Sequence, residues 1–135
     1  MTFSKIMFKS QRLDWSTPKA VFQVLDSEFN FDFDPCPKNP KQDGLNVEWG
    51  ERNFVNPPYG RAIAKWVNKA IEEHKKGKIV VLLVAARTDT AWWHKLMDCA
   101  SEIRFIQGRL KFDDIKNSAP FPSAIVILKY KEVRH

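Results

Sequence analysis

The run Ile79-Val80-Val81-Leu82-Leu83-Val84 decides the fold class of this 135-residue chain. It holds six consecutive apolar residues, and four of them are β-branched. A continuous run of this length, with no polar alternation, is typical of a central strand whose two faces are both buried. Such strands occur in sheets that carry helices on both sides. The run therefore predicts an α/β protein.

Helical and strand-like patterns alternate on either side of this run, with no internal repeat. Residues 17–18 indicate a helix start, and residues 29–34 alternate between Phe and polar side chains, as a strand does. Further helices are expected at residues 61–76 and 90–100, and further strands at residues 54–55, 103–106 and 124–130. Residues 35–50 lack periodicity and are predicted to be a loop. The order predicts a minimal three-layer α/β sandwich with a mostly parallel sheet and a probable antiparallel closing strand.

Length, charge and cysteine content restrict the class of protein. A chain of 135 residues is expected to form one compact domain, residues 1–135, with no separate target-recognition domain. No apolar run is long enough to cross a bilayer, and the start of the chain lacks a signal-peptide core, so we expect no membrane association. Cys36 and Cys99 make neither a disulfide framework nor a zinc site, which favours a reducing cytoplasm. The net charge of +6 favours a polyanionic partner.

The predicted strand at residues 54–55 leads into the turn Asn56-Pro57-Pro58-Tyr59. The prolines fix the backbone, and the amide oxygen of Asn56 can accept a hydrogen bond from an amino group. Tyr59 offers a flat ring on which a planar base can stack. Turn chemistry alone leaves two interpretations open: a site that holds an sp² amine, or a rigid connection with a packing tyrosine.

The turn resembles the catalytic motif of amino-methyltransferases that use S-adenosylmethionine and act on DNA adenine, rRNA guanine or protein glutamine. A series of segments, from about Asp14 to Leu128, resembles the phage-type, Dam-like DNA N6-adenine methyltransferases in order. The segments are Trp15-Ser16-Thr17-Pro18, Phe33-Asp34-Pro35, Asp43-Gly44-Leu45, Asn56-Pro57-Pro58-Tyr59, Ala86-Arg87-Thr88-Asp89-Thr90, Gly108-Arg109-Leu110-Lys111-Phe112 and Pro120-Phe121-Pro122-Ser123. The resemblance implies a Rossmann-like methyltransferase fold in a phage or prophage protein of the bacterial cytoplasm.

The resemblance also implies which residues bind the methyl donor, S-adenosylmethionine. Asp34-Pro35-Cys36 is similar to the start of an Asp-Pro-x-Cys-Gly motif, whose acid binds the amino-acid part of the donor. Here Pro37-Lys38 follows, where glycines would let the backbone approach the cofactor closely. The donor-binding set implied is Trp15, Thr17, Pro18, Asp34, Pro35, Cys36, Asp43, Leu45 and Asn56.

Several members of this set have a structural alternative. Thr17 is also a suitable N-cap for the following helix, and Trp15 a suitable core residue. Asp34 is a suitable acid for the end of a strand, and Asp43-Gly44 is a common turn dipeptide. Both interpretations stay open for each of these residues.

The implied reaction is direct transfer of the methyl group to the adenine N6. The side chain of Asn56 and the carbonyl of Pro57 would accept both N6 protons, with no metal and no covalent enzyme intermediate. The adenine would be flipped out of the duplex onto Tyr59. The catalytic set is Asn56, Pro57, Pro58 and Tyr59. The residues expected to contact the base or the DNA are Tyr59, Arg61, Arg87, Thr88, Trp92, Arg109 and Lys111, whereas His94 is expected to be a surface or capping residue.

No segment of the sequence resembles a recognition helix, so the sequence does not indicate which DNA target is recognised. Residues 37–49 and 109–123 are the segments expected to be available for reading bases, so we expect either a homodimer or low sequence selectivity. Two competing hypotheses remain. One is the same chemistry on an RNA base or a protein glutamine, of which the positive charge disfavours the protein substrate. The other is a nucleic-acid-binding module that has lost turnover, suggested by the missing glycines after Asp34.

Overall fold

The computed structural model describes residues 17–37, 42–111 and 121–130, which form a mixed α/β fold. The elements in these ranges are α1 (Lys19–Phe29), β1 (Arg52–Val55), α2 (Ile63–Lys75), β2 (Ile79–Ala85), α3 (Ala91–Cys99), β3 (Glu102–Phe105) and β4 (Ser123–Leu128). The predicted helices, and the strands at residues 54–55, 79–84, 103–106 and 124–130, are confirmed within two residues or so at most boundaries. Residues 35–50 contain no helix or strand where the structure describes them.

The four strands form one open sheet in the order β1-β2-β4-β3. β1 pairs with β2 in parallel, whereas β4 runs antiparallel to both β2 and β3. Two of the three pairings are antiparallel, so the prediction of a mostly parallel sheet is wrong; the closing strand is antiparallel, as expected. The physical reason is that β4 inserts between β2 and β3. Because β4 opposes both neighbours, β1, β2 and β3 point the same way and their carboxyl ends share one edge.

The predicted strand at residues 29–34 is also wrong. Phe29 is the last residue of α1, and Asn30 has a left-handed backbone with φ of 53°. The backbone N–H groups of Asp32 and Phe33 both donate to the carbonyl of Arg52, at 2.9 and 3.3 Å. This bulge-like pairing breaks the two-residue alternation. What remains of the strand is an isolated parallel bridge between Phe33 and Asn53.

β2 separates two hydrophobic cores, as its unbroken apolar run predicts. Val80, Leu82 and Val84 belong to the core beneath α2 and α3, and Val81, Leu83 and Ala85 to the core beneath α1. Helices therefore cover both faces of the sheet. The buried helical residues include Leu25 and Phe29 from α1, Trp66 and Val67 from α2, and Trp93 and Leu96 from α3. Val24 of α1 is 67 % exposed, so it does not take part in either core.

Candidate active site

The turn Asn56-Pro57-Pro58-Tyr59 lies at the carboxyl end of β1, on the edge that it shares with the end of β2. Asn56 is 7 % exposed, and its Nδ2 donates to the hydroxyl oxygen of Thr17 at 3.0 Å. The phenol of Tyr59 donates to Oδ1 of the same amide at 3.3 Å. Hydrogen bonds therefore hold both ends of the amide. Thr17 is not the N-cap of α1; the residue in that position is Pro18.

Tyr59 is buried, with 8 % of its surface exposed. Burial raises the pKa of its phenol above the ordinary value of 10.0, so the hydroxyl keeps its proton and can donate to Asn56. Its ring lies against that of Phe121, with centroids 4.8 Å apart and planes tilted by 39°. Phe121 was not among the predicted site residues. The signal that could have indicated it is an aromatic residue between Pro120 and Pro122, directly before β4.

A cavity of about 250 Å³ opens beside Tyr59, at the carboxyl ends of β1 and β2. Small-molecule sites usually hold about 300–1,000 Å³, so this cavity suits one planar heterocycle better than a whole nucleotide. Three predicted substrate contacts, Tyr59, Arg87 and Trp92, take part in its wall. The complete lining is Tyr59, Gly60, Ile63, Ala85, Arg87, Thr90, Trp92 and Phe121.

The polar side of this cavity follows β2. The guanidinium carbon of Arg87 lies 5.8 Å from the centre of the Phe121 ring, within cation–π range. Thr90 caps α3, because its hydroxyl oxygen accepts from the backbone N–H of Trp93 at 3.3 Å. His94 donates from Nε2 to the carbonyl of Thr88 at 2.8 Å, and both residues are exposed. His94 is thus a surface capping residue, as predicted.

Trp92 and Trp93 separate as expected for neighbours on a helix. Trp93 is buried in the core beneath α2 and α3, whereas Trp92 is half-buried and reaches the cavity. The two rings meet edge to face at 6.1 Å. The buried tryptophan thus supports the one that lines the cavity.

Asp34 ends the extended segment beside β1, close to the same edge as Asn56. Its Oδ1 accepts from the backbone N–H of Cys36 at 2.9 Å. The residue keeps an exposed surface, but surrounding protein raises the pKa of the carboxyl group to about 6, partly offset by this hydrogen bond. The carboxyl group therefore changes charge close to neutral pH.

Gly44 brings the loop of residues 42–50 against this segment. A Cβ at Gly44 would lie 1.9 Å from the carbonyl oxygen of Pro35 and 2.8 Å from the ring of Trp66. No side chain fits this gap. The backbone at Gly44, in the following loop, therefore packs closely against the backbone at Pro35, next to Asp34.

Asp43 uses both carboxylate oxygens within its own turn. Oδ1 accepts from the backbone N–H of Leu45 at 2.9 Å, and Oδ2 from Nδ2 of Asn46 at 2.5 Å. This geometry corresponds to the turn alternative left open by the sequence. Asp43 and Leu45 border a polar groove of about 450 Å³ that runs beside α2, together with Asn46, Lys65, Asn68, Lys69 and Glu72.

A buried ionic cluster anchors the far end of this loop. Trp49 donates from its ring Nε1 to the carbonyl of Gly44 and from its backbone N–H to Glu73 Oε1, both at 2.7 Å. Lys78 Nζ donates to Glu73 Oε2 at 3.1 Å and to the carbonyl of Trp49 at 2.7 Å. Burial alone would raise the pKa of Glu73, but hydrogen bonds from Trp49, Lys76 and Lys78 prevail and lower it to about 2. Glu73 therefore stays charged inside the fold.

The remaining predicted contacts lie around the edge without converging on the cavity. Arg61 follows Gly60 and is exposed, and Arg109 and Lys111 are exposed beyond the end of β3. Trp15 lies outside the described residues. Within the described ranges, no three His, Cys, Asp or Glu side chains gather in a group able to hold a metal ion. In the same ranges, every helix is too short or too polar to cross a membrane.

A family model and two curated relatives that match this chain carry the same description. Residues 4–129 match the family described as DNA N-6-adenine-methyltransferase (Dam). The DNA N-6-adenine-methyltransferase of Escherichia phage T1 is 32 % identical over 112 residues, which are 73 % of this chain and 47 % of that protein. The one of Haemophilus phage HP1 (strain HP1c1) is 31 % identical over 118 residues, 77 % of this chain and 68 % of that protein.

The chain spans about half the length of the phage T1 relative and about two thirds of the phage HP1 relative. The family match covers nearly the whole chain. The chain belongs to the DNA N-6-adenine-methyltransferase (Dam) family.

Proposed function

We propose that this chain transfers a methyl group from S-adenosylmethionine to the N6 atom of an adenine in DNA. The observation that carries the proposal is the Asn56 amide, which is hydrogen-bonded to Thr17 and to Tyr59, a residue that also lines a cavity of the size of one base. The family relationship supplies the reaction, and both phage relatives carry the corresponding name. DNA as substrate also suits the net charge of +6.

The cavity beside Tyr59 takes the target adenine. A base inside a duplex cannot enter it, so the nucleotide must be flipped out. The aromatic wall formed by Tyr59, Phe121 and Trp92 stabilises the extruded base, since stacking on aromatic side chains contributes about 1–3 kcal/mol per base. Flipping itself requires a few kcal/mol, which this wall offsets in part.

Asn56 and Pro57 present acceptors to the amino group of the base. The lone pair of adenine N6 is delocalised into the ring, which makes it a weak nucleophile. Acceptance of the N6 protons by the Asn56 oxygen and the Pro57 carbonyl localises that lone pair for attack on the methyl carbon. A carbonyl oxygen can accept two hydrogen bonds, so the bond from Tyr59 is compatible with a second one from the substrate. As the N6–carbon bond forms, the bond between the methyl carbon and the donor sulfur would break and the sulfur would leave as a neutral thioether, after which one N6 proton is lost to solvent.

The donor supplies a methyl group that is activated by a positively charged sulfonium. Its ammonium group suits Asp34, whose carboxylate lies at the same edge of the fold as Asn56. Pro35, Cys36 and Pro18 are proposed to form the neighbouring wall of the donor-binding site. Because Asp43 bonds within its turn, we assign it to shaping the loop, together with Leu45, and not to a hydrogen bond with the donor.

The basic residues around this edge are proposed to contact the DNA backbone. Arg87 lines the cavity and Thr88 follows it, Arg61 follows Gly60 of the cavity wall, and Arg109 and Lys111 follow β3. Contacts to phosphate fix the register of a protein on DNA and carry no sequence information themselves. We place the reaction in the cytoplasm of a bacterium that carries the phage, where such DNA is found.

The test is transfer of a labelled methyl group to unmethylated double-stranded DNA, followed by digestion to nucleosides. Recovery of N6-methyladenine is expected. Asn56→Ala should lower the rate by about 10²–10³-fold, the usual effect of removing one catalytic hydrogen-bond partner, with an unchanged circular dichroism spectrum. Gln23→Ala, on the exposed face of α1, is the matched control. Label in RNA but not in DNA would show that RNA, and not DNA, is the substrate. Full activity of Asn56→Ala would reject the role of its amide as an acceptor for the N6 protons.

A further inference from the structure

We propose that β3 is the contact strand of a homodimer, in which the β3 strands of two copies pair antiparallel and join the two sheets. The surface concerned, which we call the β3 face, consists of Glu102–Phe105 together with Val24 and Glu28 on the neighbouring side of α1. The proposal does not depend on the proposed function. It gives an interface to the homodimer, which the sequence left as one of two expectations.

The backbone of β3 has a free edge. β3 is an edge strand of the sheet, and within the described residues it pairs with β4 alone. Just after β3, the N–H of Ile106 donates to the carbonyl of Ser123 at 3.3 Å. Hydrogen-bonded positions alternate along an antiparallel pair, so the residues of β3 that bond to β4 are the even-numbered ones. The N–H and C=O groups of Ile103 and Phe105 therefore point away from β4, where they offer a template for a further strand.

Two large apolar side chains of the β3 face are exposed. Phe105 is 72 % exposed and Val24 is 67 % exposed; in the described ranges only Tyr130 joins them as an exposed large apolar side chain. Val24 precedes Glu28 by one helical turn, and the Glu28 carboxylate accepts from the guanidinium of Arg104 at 2.8 and 2.6 Å. Val24 and Phe105 therefore flank β3 from opposite faces of the sheet. Association through this edge would remove apolar surface from water.

The partner is a second copy, because the charges of β3 are self-complementary. Backbone pairing requires outward-pointing residues on both strands, so Ile103 of one copy can lie opposite Ile103 or Phe105 of the other. When Ile103 faces Ile103, Glu102 lies opposite Arg104 twice, in the non-hydrogen-bonded pairs whose side chains approach most closely. When Ile103 faces Phe105, the two Arg104 residues oppose each other, which is destabilising. The charges therefore select the first register.

Arg104 can bind the second copy and keep its own partners. Its guanidinium donates twice to Glu28 and once to Glu102 of the same chain, which uses three of its five N–H donors. Its carbon also lies 5.9 Å from the centre of the Phe29 ring. The side chain is thus held in place before the second copy arrives.

Antiparallel pairing of β3 has a consequence for the two proposed active sites. The carboxyl ends of the strands point in opposite directions in the two copies, so the two cavities lie at opposite edges of the joined sheet. Such a dimer does not place both sites on the same few base pairs. We therefore expect each copy to act on DNA separately.

The test is sedimentation equilibrium of the full chain over a range of concentrations. A short interface of this kind is transient, so we expect a dimer Kd in roughly the micromolar range. Phe105→Lys and Glu102→Arg should each raise this Kd by about tenfold or more. Ala64→Lys, at an exposed position of α2, adds the same charge elsewhere and should leave the Kd unchanged within about twofold. Circular dichroism controls for unfolding.

A mixture of two variants tests the register. Glu102→Arg places Arg opposite Arg in its own dimer, and Arg104→Glu places Glu opposite Glu. Mixed together, each variant meets the opposite charge in the other, so the heterodimer should form more tightly than either homodimer. Arg104→Glu also loses its bonds to Glu28; should it not fold, Glu102→Arg and the exchange measurement below still decide the proposal.

Amide hydrogen exchange, read by NMR, locates the interface independently. The N–H of Ile103 points to the free edge, so its exchange should slow several-fold as the concentration rises through the dimer Kd. The N–H of Arg104, already bonded to β4, should change much less.

A dimer weakened by both variants and protected at Ile103 supports the proposal. A chain that stays monomeric at every concentration overturns it, and so does a dimer whose Kd neither variant changes. Protection of Ile103 in the monomer also overturns it, because a segment outside the described ranges would then cover the edge. Absence of methyl transfer would defeat the proposed function and leave these results unaffected.

Discussion

Glu73→Ala should be among the most destabilising substitutions in this chain, because it removes the centre of the buried ionic cluster. The carboxylate is 0 % exposed and accepts from the backbone N–H of Trp49 at 2.7 Å and from Lys78 Nζ at 3.1 Å. Lys69 and Lys76 lie within 3.4 and 3.0 Å of it. Alanine would leave the Trp49 N–H without its acceptor and the Lys78 ammonium, in a residue that is 5 % exposed, without its buried counter-ion.

The size of the effect follows from these contacts. Breaking a buried ion pair by removing one partner costs about 3–5 kcal/mol, and a buried N–H without an acceptor costs about 1–3 kcal/mol. The two figures do not simply add, because Lys78 keeps the carbonyl of Trp49 at 2.7 Å and the exposed Glu48 at 3.3 Å. We expect a loss of about 4 kcal/mol of unfolding free energy. Domains of this size have about 5–15 kcal/mol in total, so the variant would be close to unfolding.

The same carboxylate gives stability a pH dependence of known sign. The pKa of Glu73 is about 2 in the folded protein and 4.5 ordinarily. A depressed pKa stabilises the fold fully above pH 4.5, and this contribution is lost as the pH falls from 4.5 towards 2. Glu73→Gln keeps an acceptor for Trp49 but has no charge to titrate. The wild type should therefore lose more stability than Glu73→Gln across that window.

Urea unfolding at pH 7, followed by circular dichroism, measures the loss. With a slope of about 1–3 kcal/mol per molar urea, 4 kcal/mol lowers the midpoint by roughly 1.3–4 M at constant slope. Glu72→Ala, at the exposed neighbouring position of α2, is the matched control and should change stability by less than about 0.5 kcal/mol. A loss below about 1 kcal/mol in Glu73→Ala, or one equal to the control, would refute a desolvated ion pair.

Two further predictions concern the donor side of the site. Gly44→Ala should destabilise the fold by about 1–3 kcal/mol in the same urea assay, because its Cβ would meet the carbonyl oxygen of Pro35 at 1.9 Å; wild-type stability would show that the loop does not pack on this segment. Asp34, with a pKa raised to about 6, is ionised above that pH, so the affinity for S-adenosylmethionine should fall about tenfold between pH 7 and pH 5 in calorimetry. Asp34→Asn should bind more weakly at pH 7 and show no such fall, and a wild-type affinity independent of pH would remove Asp34 from the donor site.

Local sequence patterns were sufficient to place most of the helices and strands. The run at residues 79–84 predicted a strand covered on both faces, because its side chains are apolar at every position and most of them are β-branched. Gly77, with φ of 102°, directly follows the helix that was expected at residues 61–76. The position of β4 between β2 and β3, which makes most of the pairings antiparallel, was not predictable in this way. Periodicity reports which faces of a strand are buried, but not which neighbour it takes.

The features of the site that are contiguous in sequence were predictable, whereas those formed by distant segments were not. The Asn56-Pro57-Pro58-Tyr59 turn is contiguous, so its amide and ring could be recognised from the sequence. Thr17, which accepts a hydrogen bond from that amide, and Phe121, whose ring lies against Tyr59, come from remote segments that only the fold brings together. Glu73 is hidden for another reason. A glutamate on an amphipathic helix is usually solvated, and nothing nearby in sequence shows that Trp49 and Lys78 bury it.

The reversed direction of β4 is what completes the cavity. Because β4 is antiparallel, its first residue, and not its last, lies at the edge where β2 ends: Ser123 pairs with Ala85, and the N–H of Ala86 donates to the carbonyl of Pro122 at 2.9 Å. The residue just before this pair, Phe121, is thereby carried onto Tyr59. A parallel closing strand would have placed its far end, beyond Leu128, at this edge instead. The antiparallel pairing of the closing strand with β2 is therefore the cause of the second aromatic wall, and two aromatic walls suit the proposed entry of a flipped base.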